Sequence, residues 1–256
     1  MNQSLRRLYL DAMGIQSWLL KSTLDEPLIE LEIESEEPQL KTLAPKTLAP
    51  ENEPEKMLSK NIVPDIVAEK IIYTHDSDLV QMIRECKKCP SRQHRLNALI
   101  GQGSDDAPVF VITGAPTAEE DRAGHYCSGL SESLLFAMLC SVRLENSFYL
   151  SGLLKCYSMT DFVLNEQDVA QCIPYLYAQI EQVKPSILFV LGAFEAQNLL
   201  KTKQSFNDLR GKVHNVRINN KEYAVIVSYH PAYLLRNPLY KKESLKDLIL
   251  LKAFLE

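Results

Sequence analysis

The sequence predicts a three-layer α/β/α fold with a mostly parallel central sheet, preceded by a short helix and a disordered linker. Two observations predict it. From Pro108 onward, short near-continuous runs of Val, Ile, Leu and Phe alternate with helical patterns. Strands of that kind are apolar on both faces, so helices must cover both sides of the sheet. Upstream of that alternation lies a long stretch rich in Glu and Pro. It divides the chain into an N-terminal segment (1–21), a linker (22–76) and a domain (77–256).

In the first segment, Leu5, Leu8, Tyr9, Ala12 and Met13 recur at helical spacing and form one apolar stripe. Ser4 can cap that helix and Gly14 can end it, and Ile15 and Trp18 follow directly. A helix this short is not stable alone, so its stripe must pack on its own domain or on a partner. Residues 22–60 carry ten Asp/Glu against four Lys, with no glycine and no aromatic residue. Such a stretch buries too little apolar area to offset its ordering entropy, and its prolines and like charges keep it extended. A short helix is expected over Asp78–Glu85. Strands are expected over Val109–Thr113, Ser147–Leu154, Ser186–Leu191 and Lys221–Ser228. The helices between and after them are Ser131–Cys140, Asn165–Val183, Phe194–Lys201 and Lys242–Phe254. Ligands of such sheets bind beyond the carboxyl ends of the strands, here 113–121, 151–156, Gly192 and 228–236.

A hydrophobic content of 46% and a charged content of 24% are globular values, enough for a sizeable core. No apolar run approaches the roughly 18 residues that span a bilayer. Arg6 and Arg7 are not followed by an apolar stretch and a cleavage site of the secretory kind. Six cysteines without such a signal fit a reducing compartment, with thiols as ligands or core residues. The net charge of −5 resides almost wholly in the linker, so basic patches on the domain remain open.

Cys86-Lys87-Lys88-Cys89 is a C-x-x-C pair whose two sulfurs can face one point, and Cys156 and Cys172 lie far downstream. Two plus two thiolates can complete a Cys₄ shell for a [4Fe–4S] cluster or for zinc; the bland alternative is a set of ordinary buried cysteines.

Several segments in order carry a resemblance. They are Cys86-x-x-Cys89, the run Val111-Ile-Thr-Gly-Ala-Pro-Thr-Ala-Glu-Glu-Asp121, Leu150-Ser-Gly-Leu-Leu-Lys-Cys156 and Cys172-Ile-Pro-Tyr-Leu. Arg210-Gly211 and Tyr229-His-Pro-Ala-Tyr-Leu-Leu-Arg236 follow. From about residue 84 to the end, this pattern resembles the family-4, iron–sulfur uracil-DNA glycosylases. The resemblance implies a [4Fe–4S] cluster on Cys86, Cys89, Cys156 and Cys172. It implies hydrolysis of the bond between a flipped uracil and deoxyribose, with His230 stabilising the departing base. It further implies that Tyr233, Leu234, Leu235 and Arg236 wedge into the minor groove and hold phosphate.

Other pocket positions depart from the family pattern. Thr113-Gly114-Ala115-Pro116-Thr117 has glycine where the family has its catalytic Glu. Cys127 stands at the stacking Phe, with Tyr126 one position earlier, and Gly152 stands at the base-reading Asn. Glu119 and Glu120 match an acidic stretch and are candidate catalytic carboxylates, or else caps of the next helix. Losing an acid and an amide worth roughly 2–4 kcal/mol each leads to an expectation of weak or no uracil excision. Two classes of function follow: a glycosylase with an altered pocket, or a DNA-binding adaptor. The N-terminal segment Arg7–Trp18 is similar to that of the bacterial DNA polymerase III psi subunit. That similarity implies that Leu5, Leu8, Tyr9, Met13, Ile15 and Trp18 dock on the clamp loader in a bacterial cytosol, with DNA as the domain's own partner.

Overall fold

A computed structural model describes residues 76–157 and 166–256. The expected N-terminal helix and linker lie outside those residues. The chain runs through α1 (Asp76–Arg84), a 3-10 turn at Pro90–Gln93, β1 (Gln102–Gly103), β2 (Val109–Thr113) and α2 (Ala118–Ala123). It continues with α3 (Leu130–Cys140), β3 (Phe148–Gly152), α4 (Glu166–Val183), β4 (Ile187–Leu191) and α5 (Ala193–Leu200). The last elements are α6 (Phe206–Leu209), β5 (Val213–Ile218), β6 (Lys221–Ser228), α7 (Pro231–Arg236) and α8 (Lys241–Leu255). The strand order is β1-β3-β2-β4-β6-β5. The inner four strands are parallel, and β1 and β5 pair antiparallel at the two edges.

Each inner strand divides its side chains between two cores, as the twofold pleat requires. Phe110, Ile112, Leu188, Val190, Val225 and Val227 pack with α1, α4 and α5. Val109, Val111, Phe189, Leu191 and Ile226 pack with α3 and α8 on the other face. The three layers are those the sequence predicts, and within the described residues each expected strand and helix is present to within a few residues.

Three elements carry no clear periodicity in sequence. Residues 213–218 form an exposed edge strand. It turns into β6 through Asn219 and Asn220, which both adopt positive φ (45° and 68°), the two-residue hairpin conformation. Residues 118–123 form a helix with a capping box, Thr117 with Glu120. Residues 231–236, expected as a loop, form α7. Pro231 occupies its first turn and His230 its N-cap, where a proline stabilises rather than breaks a helix.

Candidate functional site

Two sites are built at the margins of the sheet. The first gathers the four expected cysteines. Cys86 and Cys89 lie in the turn after α1, Cys156 follows β3, and Cys172 lies in α4; all four line one pocket with Lys88 and Tyr175. Among the described residues, no three His, Cys, Asp or Glu side chains close on a single ion-sized point. Four sulfurs around one pocket are a donor set that fits a metal–sulfur centre.

Two cations hold this pocket together. Arg95 donates to Cys156 Sγ (2.9 Å), to the Arg84 carbonyl (2.5 Å) and to the Cys86 carbonyl (3.4 Å), and so ties both halves of the cysteine set. Lys155 is fully buried, and its Nζ donates to Ser151 Oγ (2.7 Å), the Gly152 carbonyl (2.9 Å) and Gln179 Oε1 (2.6 Å). Burial pushes the Cys172 thiol up to about 12, and the Lys155 ammonium pulls it back down. Burial also raises Cys156, against which Arg95 acts in the opposite direction. Positive charge beside buried thiols favours the thiolate form that ligates metals.

The second site is a cleft of about 410 Å³ beyond the carboxyl ends of the strands, lined by Gly192, Phe206, Asn207, Tyr229, His230, Tyr233 and Tyr240. That volume is in the range of small-ligand pockets. His230 ends the segment after β6. Its Nδ1 accepts from the Ala232 N–H (3.1 Å), which puts the ring proton on Nε2, 2.9 Å from Thr113 Oγ1 at the end of β2. Burial, with Arg236 assisting, lowers the His230 pKa to about 4, so the ring is neutral at physiological pH. The cleft is therefore bordered by a neutral imidazole, not a cation, whose one N–H is held by Thr113 Oγ1.

An aromatic wall stands beside it. Tyr229 and Tyr233 stack at 5.3 Å with rings 8° apart, Phe206 meets Tyr229 edge-on at 4.9 Å, and Tyr240 leans on both tyrosines. The Arg210 guanidinium lies 4.3 Å from the Tyr229 ring centre and is fixed by Asp247 Oδ2 through two bonds of 2.8 and 3.0 Å.

The structure brings some expected residues to this cleft and turns others away. Gly114 and Ala115 are half-buried at the end of β2 and Pro116 is buried, and none of the three lines the cleft. Tyr233 faces the cleft, and Leu235 and Arg236 are exposed on α7, but Leu234 points into the core. Tyr126 is also a core residue; its hydroxyl donates to the carbonyls of Leu99 (3.1 Å) and Leu154 (2.8 Å). Cys127 is fully buried, and its thiol is pushed up to about 12 by burial. A Cβ on Gly152 would overlap the Tyr126 ring and the carbonyls of Gly114 and Leu154, so that position is closed to side chains. Glu120 accepts from the Thr117 N–H (2.6 Å) and the Cys127 N–H (2.5 Å), which engages both carboxylate oxygens. Glu119 is exposed beside Gly129.

Sequence reasoning passed over Thr113, Phe206, Asn207, Tyr240 and Glu195. Thr113 carries a faint signal, as the one polar residue closing an otherwise apolar strand. Glu195 carries none. Its carboxylate occupies the space above both Gly114 and Gly192, where a methyl on either glycine would overlap its oxygens.

Comparison with known proteins agrees with this architecture. The profile described as the uracil DNA glycosylase superfamily matches residues 100–252. A type-4 uracil-DNA glycosylase of Pyrobaculum aerophilum is 31% identical over 175 residues, 66% of this chain and 89% of that protein. The Archaeoglobus fulgidus protein of the same name is 31% identical over 175 residues, 66% of this chain and 88% of its own length. The Thermotoga maritima one is 29% identical over 160 residues, 61% of this chain and 81% of its own length. With its fold, its four-cysteine pocket and its strand-end histidine, this chain belongs to the uracil DNA glycosylase superfamily, alongside its type-4 members.

Proposed function

We propose that this chain binds DNA, accepts an everted base in the cleft and cleaves its N-glycosidic bond with His230, slowly on uracil itself. The observation that carries this reading is the neutral His230 ring, which lines the cleft with its proton on Nε2. A departing pyrimidine takes the bonding electrons and becomes anionic at its O2. The neutral Nε2–H, exchanging Thr113 Oγ1 for the base oxygen, stabilises that charge without a competing cation in the ground state. The aromatic wall of Tyr229, Tyr233 and Phe206 offers a stacking surface for the base. Slow action on uracil follows from Gly152 and Cys127, which supply neither the base-reading amide nor a ring at the family positions. The exposed Asn207 amide is a polar group of the cleft that can read a base edge.

Cys86, Cys89, Cys156 and Cys172 would hold a [4Fe–4S] cluster, whose contribution here is structural: it ties the turn after α1 to α4 and to the segment after β3. DNA would lie across α7 and the turn that follows, where Leu235, Arg236, Leu239 and Tyr240 are exposed. An apolar wedge there can fill the gap left by a flipped base.

The test is excision from duplex and single-stranded oligonucleotides carrying uracil, hypoxanthine or xanthine. Wild type should release at least one of these bases, and His230→Ala should slow that release by about a hundredfold or more. Equal rates for wild type and His230→Ala would reject the reading. Arg236→Ala should weaken DNA binding and reduce the salt slope by about one.

A second reading concerns residues 1–21 and rests on their isolated apolar stripe with its single Trp. We propose that this segment docks on a clamp-loader subunit and that the acidic linker tethers the glycosylase domain to the replication fork in a bacterial cytosol. A peptide of residues 1–21 should bind the clamp loader, and Trp18→Ala should cost about 2 kcal/mol of that binding. No affinity, together with a large fall in melting temperature on deleting 1–21, would show that the helix packs on its own domain.

A further inference from the structure

We propose that Glu195 is the catalytic carboxylate of this cleft, set between the ends of β2 and β4 to face the sugar carbon from which the base departs. The proposal rests on the excision reading above and adds a residue to it.

The geometry comes first. Gly114 follows β2 and Gly192 follows β4, and these two strands are hydrogen-bonded neighbours. Glu195 sits in the first turn of α5. Its Oε1 occupies the space over Gly114 and its Oε2 the space over Gly192. Thr113, next to Gly114, holds His230 Nε2 at 2.9 Å, and Gly192 lines the cleft with His230. The carboxylate and the neutral imidazole thus approach the same strand ends from two different elements. Two glycines in register leave room for one acid that neither carries.

Of the other acids after β2, Glu119 is exposed beside Gly129 and the remaining two are committed elsewhere. Both oxygens of Glu120 accept backbone N–H groups, and Asp121 accepts from the N–H groups of Leu96 (2.7 Å) and Asn97 (2.9 Å). Burial raises the Glu195 pKa to about 7, with its own backbone N–H acting against that shift. A half-buried carboxylate with no cationic partner among the described residues is costly to keep unless its charge is used.

The chemistry requires such a group. When the C1′–N bond breaks, both electrons leave with the base, and C1′ becomes an oxocarbenium cation. A carboxylate beside C1′ stabilises that charge. Water then adds to C1′, and the proton it loses passes to Glu195 and on to solvent. The base anion takes a proton from solvent, which leaves the free base and an abasic hydroxyl.

The test uses the full chain and two DNA duplexes, one with a cationic pyrrolidine in place of the abasic sugar and one with neutral tetrahydrofuran. Affinities are read by fluorescence anisotropy at pH 8, where Glu195 is ionised. Wild type should prefer the cationic sugar by about tenfold or more. Glu195→Gln, which keeps the shape and removes the charge, should bind both duplexes equally, with its tetrahydrofuran affinity unchanged. Equal affinity of wild type for the two duplexes, or an undiminished preference in Glu195→Gln, would overturn the proposal.

Excision rates separate this proposal from the reading it rests on. Glu195→Gln should lower kcat at least tenfold with KM little changed, and Glu195→Ala with Gly114→Glu should recover part of the loss by supplying the acid from the neighbouring strand. Excision that is lost in His230→Ala but intact in Glu195→Gln would overturn the role of Glu195 alone. A Glu195-dependent preference for the cationic sugar without any base release would overturn the excision reading and leave Glu195 as the sugar-facing charge.

Discussion

Thr113 Oγ1 lies 2.9 Å from His230 Nε2, so one hydrogen bond joins the ends of β2 and β6 across the intervening β4. The bond fixes the plane of the His230 ring from one side, while the Ala232 N–H fixes it from the other. Both partners are main-chain or short side-chain groups with little freedom of their own. The ring is thereby preorganised before any ligand arrives.

Replacing Thr113 by Val removes the acceptor and keeps the shape of a buried residue. The expected cost is about 1 kcal/mol of stability, the net worth of one such bond, measured by urea unfolding. Excision should fall as the ring gains freedom. In the Thr113→Val, His230→Ala double variant the losses in excision should not add, because both act through the same imidazole. Fully additive losses would show that Thr113 acts on something other than His230.

The His230 pKa sets a pH window. Its folded value is about 4 against an ordinary 6.5, so between those values the unfolded chain binds the proton and the folded chain does not. Stability from this group is present in full above pH 6.5 and is lost as pH falls toward 4. At pH 4.5 the loss is on the order of 2 kcal/mol relative to neutral pH. His230→Gln cannot take up that proton. The gap in stability between wild type and His230→Gln should therefore shift by that amount between pH 7 and pH 4.5. A gap independent of pH would mean that the ring titrates alike in both states.

How much of this was legible in sequence depends on the range over which each feature is written. β2, β4 and β6 were legible because near-continuous Val, Ile and Leu state burial on both faces locally. β5 was not, since its solvent-facing residues outnumber its buried ones and only the Asn219-Asn220 turn marks it. Pro231 read as a loop residue, although at the first turn of a helix it has the opposite meaning, and this turned Leu234 from an expected DNA contact into a core residue. The convergence of Cys86, Cys89, Cys156 and Cys172 was legible because cysteines are few. Glu195 was not, because its setting is made by the absence of side chains at Gly114 and Gly192, one of them far away in the chain.

Gly152 makes a sharper case. Alignment with the family invites an Asn there to restore the reading of uracil, and the structure forbids it. Even Gly152→Ala puts a methyl group into the Tyr126 ring and two backbone carbonyls. Tyr126 cannot swing aside cheaply, because its hydroxyl is bonded to two carbonyls in the core. Gly152→Ala should cost about 1–3 kcal/mol, the usual range for overpacking, seen as a fall in melting temperature. Pairing it with Tyr126→Phe should recover little, because the ring that blocks the space remains. A neutral Gly152→Ala would show that the Tyr126 side of the sheet end is loose.

The last prediction concerns the cysteine pocket and the charge beside it. Protein purified without oxygen should be brown and contain about four irons per chain, if the four thiols hold the cluster their arrangement fits. Cys172→Ser should lose the colour and lower the melting temperature, because the bond from α4 to the turn after α1 runs through the cluster. Arg95 tests the pocket more finely. Its guanidinium donates to Cys156 Sγ at 2.9 Å and to two carbonyls around Cys86, so it stabilises negative charge on sulfur and also holds the loop. Arg95→Lys keeps the charge and cannot span all three acceptors, whereas Arg95→Met removes the charge and keeps much of the packing. Removing a positive charge from beside the cluster disfavours its more negative, reduced form, so Arg95→Met should lower the reduction potential measured in an anaerobic redox titration. Arg95→Lys should lower it less while loosening the loop, which shows as faster loss of iron to a chelator. A colourless protein with one zinc per chain would reject the iron centre, and an unchanged potential in Arg95→Met would reject the role given to its charge.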